Sequence, residues 1–295
     1  MDGLAASLVG HHGERVMPPG PTLQGLAFAK MTGSGNDFVF FDGRAVPRDL
    51  VTSPEVVRSI CNRHNGIGAD GVVVIEPAHP DADVRIHYVN SDGTPADLCG
   101  NATLCSTALS ALLGLSAASG MTLATPAGLI ASRLAAGLPE IDLQPVTAIR
   151  TAMPIDLTAG EQRVGFAVAG IPHLVILCAD AHLVDVDDRG PLLRRHPASG
   201  SAGANVNWVS PMPGGRWRYR TFERGVEGET LACGTGAVAT AVLLAAWGLS
   251  TDPSIMIRSS SGRDLEVRLT TTASGVQPTL RGEGRVVFRG VIESI

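Results

Sequence analysis

The chain has 295 residues and a formal net charge of −5 at pH 7. Hydrophobic residues make up 44% of it and charged residues 17%, which is enough apolar material for a full core. No basic block marks a nucleic-acid surface, and no apolar run approaches the roughly 18 residues that a membrane span needs. The N-terminus also lacks the regions of a secretory signal peptide. These features predict a soluble, cytoplasmic protein that binds neither nucleic acid nor membranes.

Residues 1–25 contain several Gly and Pro residues and no periodic apolar pattern, so we predict an unstructured extension there. Short β-type runs follow in two groups, and each group leads through a turn into an Ala/Leu-rich segment. The first group is Phe38–Phe41, Gly71–Ile75 and Val84–Val89, and the second is Leu174–Leu177, Asn205–Val209 and Trp217–Phe222. The last predicted strands are Ser254–Ile257, Leu265–Leu269 and Arg285–Phe288.

The two Ala/Leu-rich segments are copies of each other. Residues 98–116 (LCGNATLCSTALSALLGLS) align without a gap with residues 232–250 (ACGTGAVATAVLLAAWGLS), and seven of the 19 positions are identical. Each segment is apolar around most of its circumference and ends at a glycine, Gly114 or Gly248, as a buried helix does. The pattern therefore predicts an α/β protein in which one unit occurs twice.

A cysteine followed by a glycine begins each predicted helix, at Cys99 and at Cys233. A helix N-terminus presents unpaired backbone N–H groups and the positive end of the helix dipole, so it can lower the pKa of a thiol and bind a carboxylate. If the two copies face each other, an acidic carbon between the sulfurs can lose a proton to one and regain a proton from the other. This arrangement is typical of a two-base racemase or epimerase.

Other chemistries fit the residues less well. Lys30 is the only lysine available for a pyridoxal-phosphate Schiff base. An odd number of cysteines argues against a disulfide framework, and we interpret Cys61, Cys105 and Cys178 as inert packing residues. Cys99 and Cys105 lack a second Cys/His pair to complete a zinc site. A Cys/His hydrolase with His173 as its base would need one cysteine and not two equivalent ones.

At these residues the sequence resembles the diaminopimelate epimerase family. The matching motifs are KMTGSGNDF (30–38), RHNGIGADG (63–71), NSDGTPADLCGN (90–101), ANV (204–206) and ERGVEGETLACGTG (223–236). The resemblance implies two pseudo-symmetric domains, each a curved, mostly antiparallel sheet wrapped around a central helix. It places residues 26–138 plus about 279–295 in the N-terminal domain and residues 139–278 in the C-terminal domain.

The resemblance also implies residue roles. Cys99 and Cys233 would be the acid/base pair. Backbone N–H groups at Gly100, Asn101, Gly234 and Thr235 would hold the reacting carboxylate, and the other substrate-binding residues would be Asn36, Asn90, Asn205, Glu223 and Arg224, with Glu223 on the distal ammonium. The sequence departs from the family pattern at Thr32, at Ala102, Thr103 and Leu104, at Ile171 and at the extra residue Glu227.

The implied reaction interconverts LL- and meso-2,6-diaminopimelate without a cofactor, for lysine and peptidoglycan biosynthesis, in a homodimer. Ile171 replaces a polar contact residue, which leaves open a racemase of the same fold that acts on another amino acid. A dithiol redox protein and a binding-only relative without activity are alternatives from other classes. Only an isomerase exchanges the Cα proton of its substrate with solvent.

Overall fold

Strands and a few short helices alternate along the chain, which the computed structural model describes for residues 23–96, 98–273 and 275–295. The strands are β1 Ala27–Gly33, β2 Asn36–Asp42, β3 Gly71–His79, β4 Ala82–Asn90, β5 Met121–Thr125, β6 Gly128–Ala135, β7 Leu138–Asp142, β8 Thr147–Arg150, β9 Glu161–Ala169, β10 Ile171–Cys178, β11 Asn205–Pro211, β12 Trp217–Glu223, β13 Gly228–Thr230, β14 Ser254–Arg258, β15 Asp264–Thr272, β16 Gly275–Arg281 and β17 Arg285–Val291. The helices are α1 Arg48–Val51, α2 Pro54–Cys61, α3 Gly100–Leu112, α4 Val186–Arg194 and α5 Gly234–Ala246, with 3₁₀ turns at Ala181–Leu183 and Pro197–Ser199.

The strands form two curved sheets with the same internal order. The first sheet runs β17-β1-β2-β3-β4-β5-β6-β7, and the second runs β8-β9-β10-β11-β12-β14-β15-β16. Within the described residues, β2 and β3, β4 and β5, β10 and β11, and β12 and β14 are the parallel neighbours, and the other pairs are antiparallel. β7 pairs with β16 and thereby joins the two sheets.

One helix lies inside each sheet. α3 packs on the first sheet and α5 on the second, and one apolar core that includes Leu104, Val238 and Leu280 surrounds both. Both helices end in a glycine with positive φ, Gly114 at +67° and Gly248 at +73°. A glycine is favoured there because a side chain would strain the left-handed turn. Smaller apolar clusters lie on the outer faces, under α1 and α2 and under α4.

The predicted fold class is confirmed, since each helix lies in a curved, mostly antiparallel sheet. All nine predicted strand runs fall inside observed strands, and both predicted helices are present. The pattern missed α2 and α4 and the Ala- and Gly-rich strands such as β6. The predicted domain boundaries stay a prediction.

The predicted N-terminal extension, residues 1–25, lies mostly outside the described residues. Its last residues pack on the body of the protein. Leu23 is buried, and the N–H group of Gly25 donates to the carbonyl of Ile292 at 2.8 Å. Residues 23–25 therefore belong to the folded part of the chain. None of the helices in the described ranges combines the length and the hydrophobicity that a membrane span requires.

Candidate active site

The N-termini of α3 and α5 meet between the two sheets. A Cβ added to Gly100 would lie 3.6 Å from the Cα of Gly234, and a Cβ added to Gly234 would lie 3.5 Å from the Cα of Gly100. Leu280 packs against both glycines from the side. Because neither glycine has a side chain, the two helix starts approach closely. The cysteines that precede the two glycines therefore lie at adjoining helix N-termini.

Cys99 and Cys233 are the N-cap residues of these helices and have nearly the same backbone conformation. The φ and ψ angles are −127° and 113° at Cys99 and −130° and 111° at Cys233. Cys99 is partly exposed, whereas Cys233 is buried. The hydroxyl of Tyr219 holds the backbone of Cys233 by accepting from its N–H at 2.6 Å and donating to its carbonyl at 2.9 Å. The predicted juxtaposition of two helix-capping cysteines is thus present.

The pKa values of both thiols differ from the sequence-based expectation. Burial raises the pKa of the Cys99 thiol to about 12, and backbone N–H groups of Asn101 and Ala102 offset only part of that rise. Burial and the Glu223 carboxylate raise the pKa of Cys233 further. At both thiols desolvation outweighs the hydrogen bonds from backbone N–H groups at the helix start, so each pKa lies above its ordinary value. A charge on Cys99 also raises the pKa of Cys233, so the pair disfavours two thiolates at the same time.

A chain of polar side chains lies behind Cys233. The hydroxyl of Thr235 is 3.5 Å from the sulfur of Cys233 and 3.1 Å from Nε2 of His173. On the other side of the ring, Nδ2 of Asn207 lies 3.2 Å from Nδ1 of His173. Burial, assisted by the positive charge of Arg224, lowers the pKa of His173 to about 3, so the ring is neutral.

Asn205 and Arg224 also lie beside Cys233. The amide of Asn205 donates to the Cys233 sulfur at 3.8 Å, and its carbonyl oxygen accepts from the backbone N–H of Arg224 at 2.9 Å. In the described parts of the chain, the guanidinium of Arg224 forms no ion pair. The nearby carboxylate of Glu227 pairs with Arg194 and Arg195 instead. Arg224 thus keeps its charge available for a ligand.

The carboxyl group of Glu223 is a third neighbour of Cys233. It accepts from the hydroxyl of Thr230, and burial raises its pKa. Each of the side chains Glu223 and Cys233 shifts the pKa of the other, which places the carboxyl group at the thiol.

The predicted binding residues on the other side of the site form a separate network. Nδ2 of Asn101 donates to Oδ1 of Asn36 at 2.5 Å, and Nδ2 of Asn36 donates to the carboxylate of Asp70 at 3.1 Å. Asp70 is held in turn by Arg63 at 2.7 Å. Asn36 and Asn101 therefore lie together, and their amide orientations are fixed. The sequence analysis did not identify Asp70 as part of this network.

Asn90 lies at the end of β4, where its amide donates to the hydroxyl of Thr94 at 3.2 Å. The sequence spacing equates Asn90 with Arg224, but the sheet register does not. Val89 pairs with Val72, and Phe222 pairs with Val206, so Asn90 corresponds to Glu223. Arg224 is one residue beyond this position.

Two departures from the family pattern have a clear place in the structure. Leu104 is fully buried and packs near Gly282 and Gly284, so an apolar residue suits its position. Ile171 begins β10, two residues before His173, and so lies on the same face of the strand. No group of three or more His, Cys, Asp and Glu side chains that could hold a metal ion occurs among the described residues.

Sequence comparisons connect this geometry with known proteins. The sequence model of diaminopimelate epimerase matches residues 28–139 and 166–279. A diaminopimelate epimerase from Gemmatimonas aurantiaca is 69% identical over 278 residues, which cover 92% of this chain and 100% of that protein. One from Aquifex aeolicus is 33% identical over 90% of this chain and 97% of its own length.

Solved structures share the fold at low sequence identity. A phenazine biosynthesis protein of the PhzF family from Bacillus anthracis superimposes with a TM-score of 0.71 at 12% identity, over 90% of this chain and 98% of that chain. A hydroxyproline epimerase from Agrobacterium vitis superimposes with a TM-score of 0.64 at 20% identity, over 92% and 94% of the two chains. These matches show the fold alone. The sequence matches, which extend through both halves and both cysteine motifs, show that the chain is a member of the diaminopimelate epimerase family.

Proposed function

We propose that this protein interconverts LL- and meso-2,6-diaminopimelate by moving a proton between Cys99 and Cys233. The observation that supports this proposal best is the meeting of two N-capping thiols at abutting helix starts, where a charge on one disfavours a charge on the other. A stereocentre between them has an acid on one face and a base on the other. Membership of the family supports the choice of substrate.

In the proposed reaction one cysteine, as its thiolate, removes the proton from Cα of the substrate. The other cysteine, as its thiol, donates a proton to the opposite face. The protonation states of the two sulfurs are then exchanged, and no electrons are gained or lost. The α-carboxylate would accept from the backbone N–H groups of Gly100, Asn101, Gly234 and Thr235, which stabilise the negative charge that spreads onto it in the transition state.

The distal end of the substrate would lie against the second group of polar side chains. Arg224 would bind the distal carboxylate through its unpaired guanidinium, and Asn90 and Asn205 would hydrogen-bond to the remaining polar atoms. Glu223 would contact the distal ammonium, and Asn36 would line the site beside Asn101. A ligand with an apolar side chain would leave these groups unpaired, which is costly.

We further propose a homodimer, in the cytoplasm, that serves lysine and peptidoglycan biosynthesis. β17 is a terminal strand of the first sheet and pairs with β1 along one edge only, within the described residues. Its exposed side chains include Val287 (48%), Phe288 (47%) and Val291 (55%). An apolar edge strand of this kind readily pairs with a second copy. If so, Val287→Lys should yield a monomer in size-exclusion chromatography with light scattering; an unchanged mass would remove β17 from the interface.

The proposed reaction is tested by incubating the protein with LL-diaminopimelate in D₂O. We expect meso product to form and deuterium to appear at Cα in the NMR spectrum. Proline and simple aliphatic amino acids, incubated in parallel, should show neither. Faster exchange into a monoamino acid would favour a racemase of the same fold, and absence of exchange into any of them would favour a redox or binding role.

A further inference from the structure

We propose that Asn207 is a positioning residue, which orients the proton of His173 so that the hydroxyl of Thr235 donates to the sulfur of Cys233. The inference rests on the proposed function, because it concerns how one of the two proposed acid/base groups is tuned. It assigns a task to a side chain that touches neither thiol. The chain of contacts runs from β11 through β10 to the start of α5.

The orientation of the Asn207 amide is fixed by a backbone carbonyl. Nδ2 of Asn207 donates to the carbonyl oxygen of Leu174 at 2.9 Å. Because a carbonyl oxygen only accepts, the NH₂ end of the amide must face it. The same NH₂ group lies 3.2 Å from Nδ1 of His173. Nδ1 therefore accepts, and the proton of the neutral ring is on Nε2.

The position of this proton determines what the Thr235 hydroxyl does. Nε2 of His173, which carries the proton, donates to Oγ1 of Thr235 at 3.1 Å. The hydroxyl then has its own hydrogen left to donate, and the sulfur of Cys233 lies 3.5 Å away. A hydrogen bond to a thiolate stabilises the charged form. With the proton on Nδ1 instead, Nε2 would take the hydrogen of Thr235 away from the sulfur.

The His173 ring keeps this arrangement while the thiol titrates. It is fully buried and stays neutral far below the pH at which Cys233 ionises. Other groups also act on Cys233. Charges on Glu223 and Cys99 oppose its ionisation, and a charge on Cys233 in turn raises the pKa of Tyr219, whose hydroxyl bonds to the Cys233 backbone. The charge of Arg224 acts on the His173 ring. These groups are unchanged by a substitution of Asn207.

The corresponding positions on the first sheet lack this chain. Phe38 pairs with Gly71 as His173 pairs with Asn205, so Phe38 corresponds to His173 and Val73 corresponds to Asn207. Gly236, in the first turn of α5, lies against Asn207, and a Cβ at this position would lie 2.4 Å from Oδ1 of Asn207. The glycine at this helix position therefore leaves room for the asparagine.

The experiment measures the alkylation of Cys233 by iodoacetamide as a function of pH, in a Cys99→Ala background, with the modified peptide identified by mass spectrometry. Asn207→Leu should slow the alkylation of Cys233 about tenfold at each pH below the pKa of the thiol, which corresponds to a rise of about one unit in that pKa. Thr235→Val should have the same effect. The double variant should show no more than the Thr235→Val change, because both act through one hydroxyl.

A matched control applies the same substitution to the other thiol. In a Cys233→Ala background, Asn207→Leu should leave the alkylation profile of Cys99 unchanged. An unchanged Cys233 profile in Asn207→Leu, or additive effects in the double variant, would overturn the proposal. If Asn207→Leu does not fold, ¹⁵N NMR of the unsubstituted protein decides, and a protonated Nδ1 at His173 would refute the assignment. None of these readouts requires diaminopimelate, so absence of epimerisation would count against the proposed function alone.

Discussion

The two halves of the site share a backbone but differ in the side chains behind each thiol. Cys99 and Cys233 differ by only a few degrees in φ and ψ, and the strand order around them is the same. The inward-facing residues at corresponding positions are Phe38, Gly71, Val73, Ile86 and Tyr88 on the first sheet, and His173, Asn205, Asn207, Tyr219 and Thr221 on the second. The lining is thus largely apolar beside Cys99 and polar beside Cys233.

This difference separates two requirements. Inversion of a stereocentre requires acid and base on opposite faces, and a repeated backbone supplies that symmetry. It does not require equal surroundings, and the second half of the site places an amide, a hydroxyl and a carboxyl group at its thiol. On the first sheet, the ring of Tyr88 lies over Gly71, in the space that Asn205 has on the second. Each thiol therefore has its own electrostatic environment in a common frame.

The largest expected effect tests what the halves have in common. Cys99→Ala and Cys233→Ala should each reduce epimerisation by at least about 100-fold, because a positioned acid or base supplies about 10²–10⁴-fold. Steady-state turnover of LL-diaminopimelate measures this loss. Cys178→Ala, in the apolar cluster on the outer face under α4, serves as the control and should retain activity. A single cysteine variant with most of its activity would contradict the two-base assignment.

The next effect concerns a group that only the second half has. Arg224→Met should lower kcat/KM for diaminopimelate by at least about tenfold, since loss of one partner of a desolvated charged contact costs about 2–5 kcal/mol. Arg195→Met is the matched control. Arg195 is exposed and paired with Glu227, and loss of such a pair costs at most about 1 kcal/mol. Equal kinetics of the two variants would exclude Arg224 from substrate binding.

The sequence predicted the parts of this comparison that depend on local pattern. The repeated Cys-Gly segments predicted both helices and the approach of the two helix-capping thiols. The link between His173 and Asn207 was not predicted, because they are 34 residues apart and meet only through the parallel pairing of β10 and β11. Likewise, the pKa of a helix-capping thiol depends on burial by distant elements, and the local motif carries no information about them.

A smaller effect compares two tyrosines, one on each side. Tyr219→Phe should lower the free energy of unfolding by about 1–3 kcal/mol, because it leaves the N–H of Cys233 buried without its partner. Tyr88→Phe is the control on the first sheet. Within the described residues, its hydroxyl has no hydrogen-bond partner, so its removal should cost less than about 0.5 kcal/mol. Urea denaturation of both variants measures the difference, and equal losses would mean that Tyr219 does not hold Cys233.

A further effect appears only as a change of stability with pH. The pKa of His173 falls from the usual 6.5 to about 3 in the folded protein, because burial disfavours the imidazolium. Between these two values the unfolded chain binds a proton at this residue and the folded chain does not. The free energy of unfolding should therefore decrease as the pH is lowered through this window, by up to about 1.4 kcal/mol per pH unit.

His173→Phe gives the second sheet the residue that the first sheet has, and it removes this contribution. Although the variant loses two hydrogen bonds at every pH, its free energy of unfolding should decline less steeply than that of the unsubstituted protein between pH 6.5 and about 4.5. Other titrating groups contribute equally to both proteins, so the difference between the two curves isolates His173. Parallel curves would show that His173 binds its proton equally well in the folded and unfolded chains. The polar chain behind Cys233 would then include an imidazolium below about pH 6.5, and in that range the contrast between the two halves would be one of charge as well as polarity.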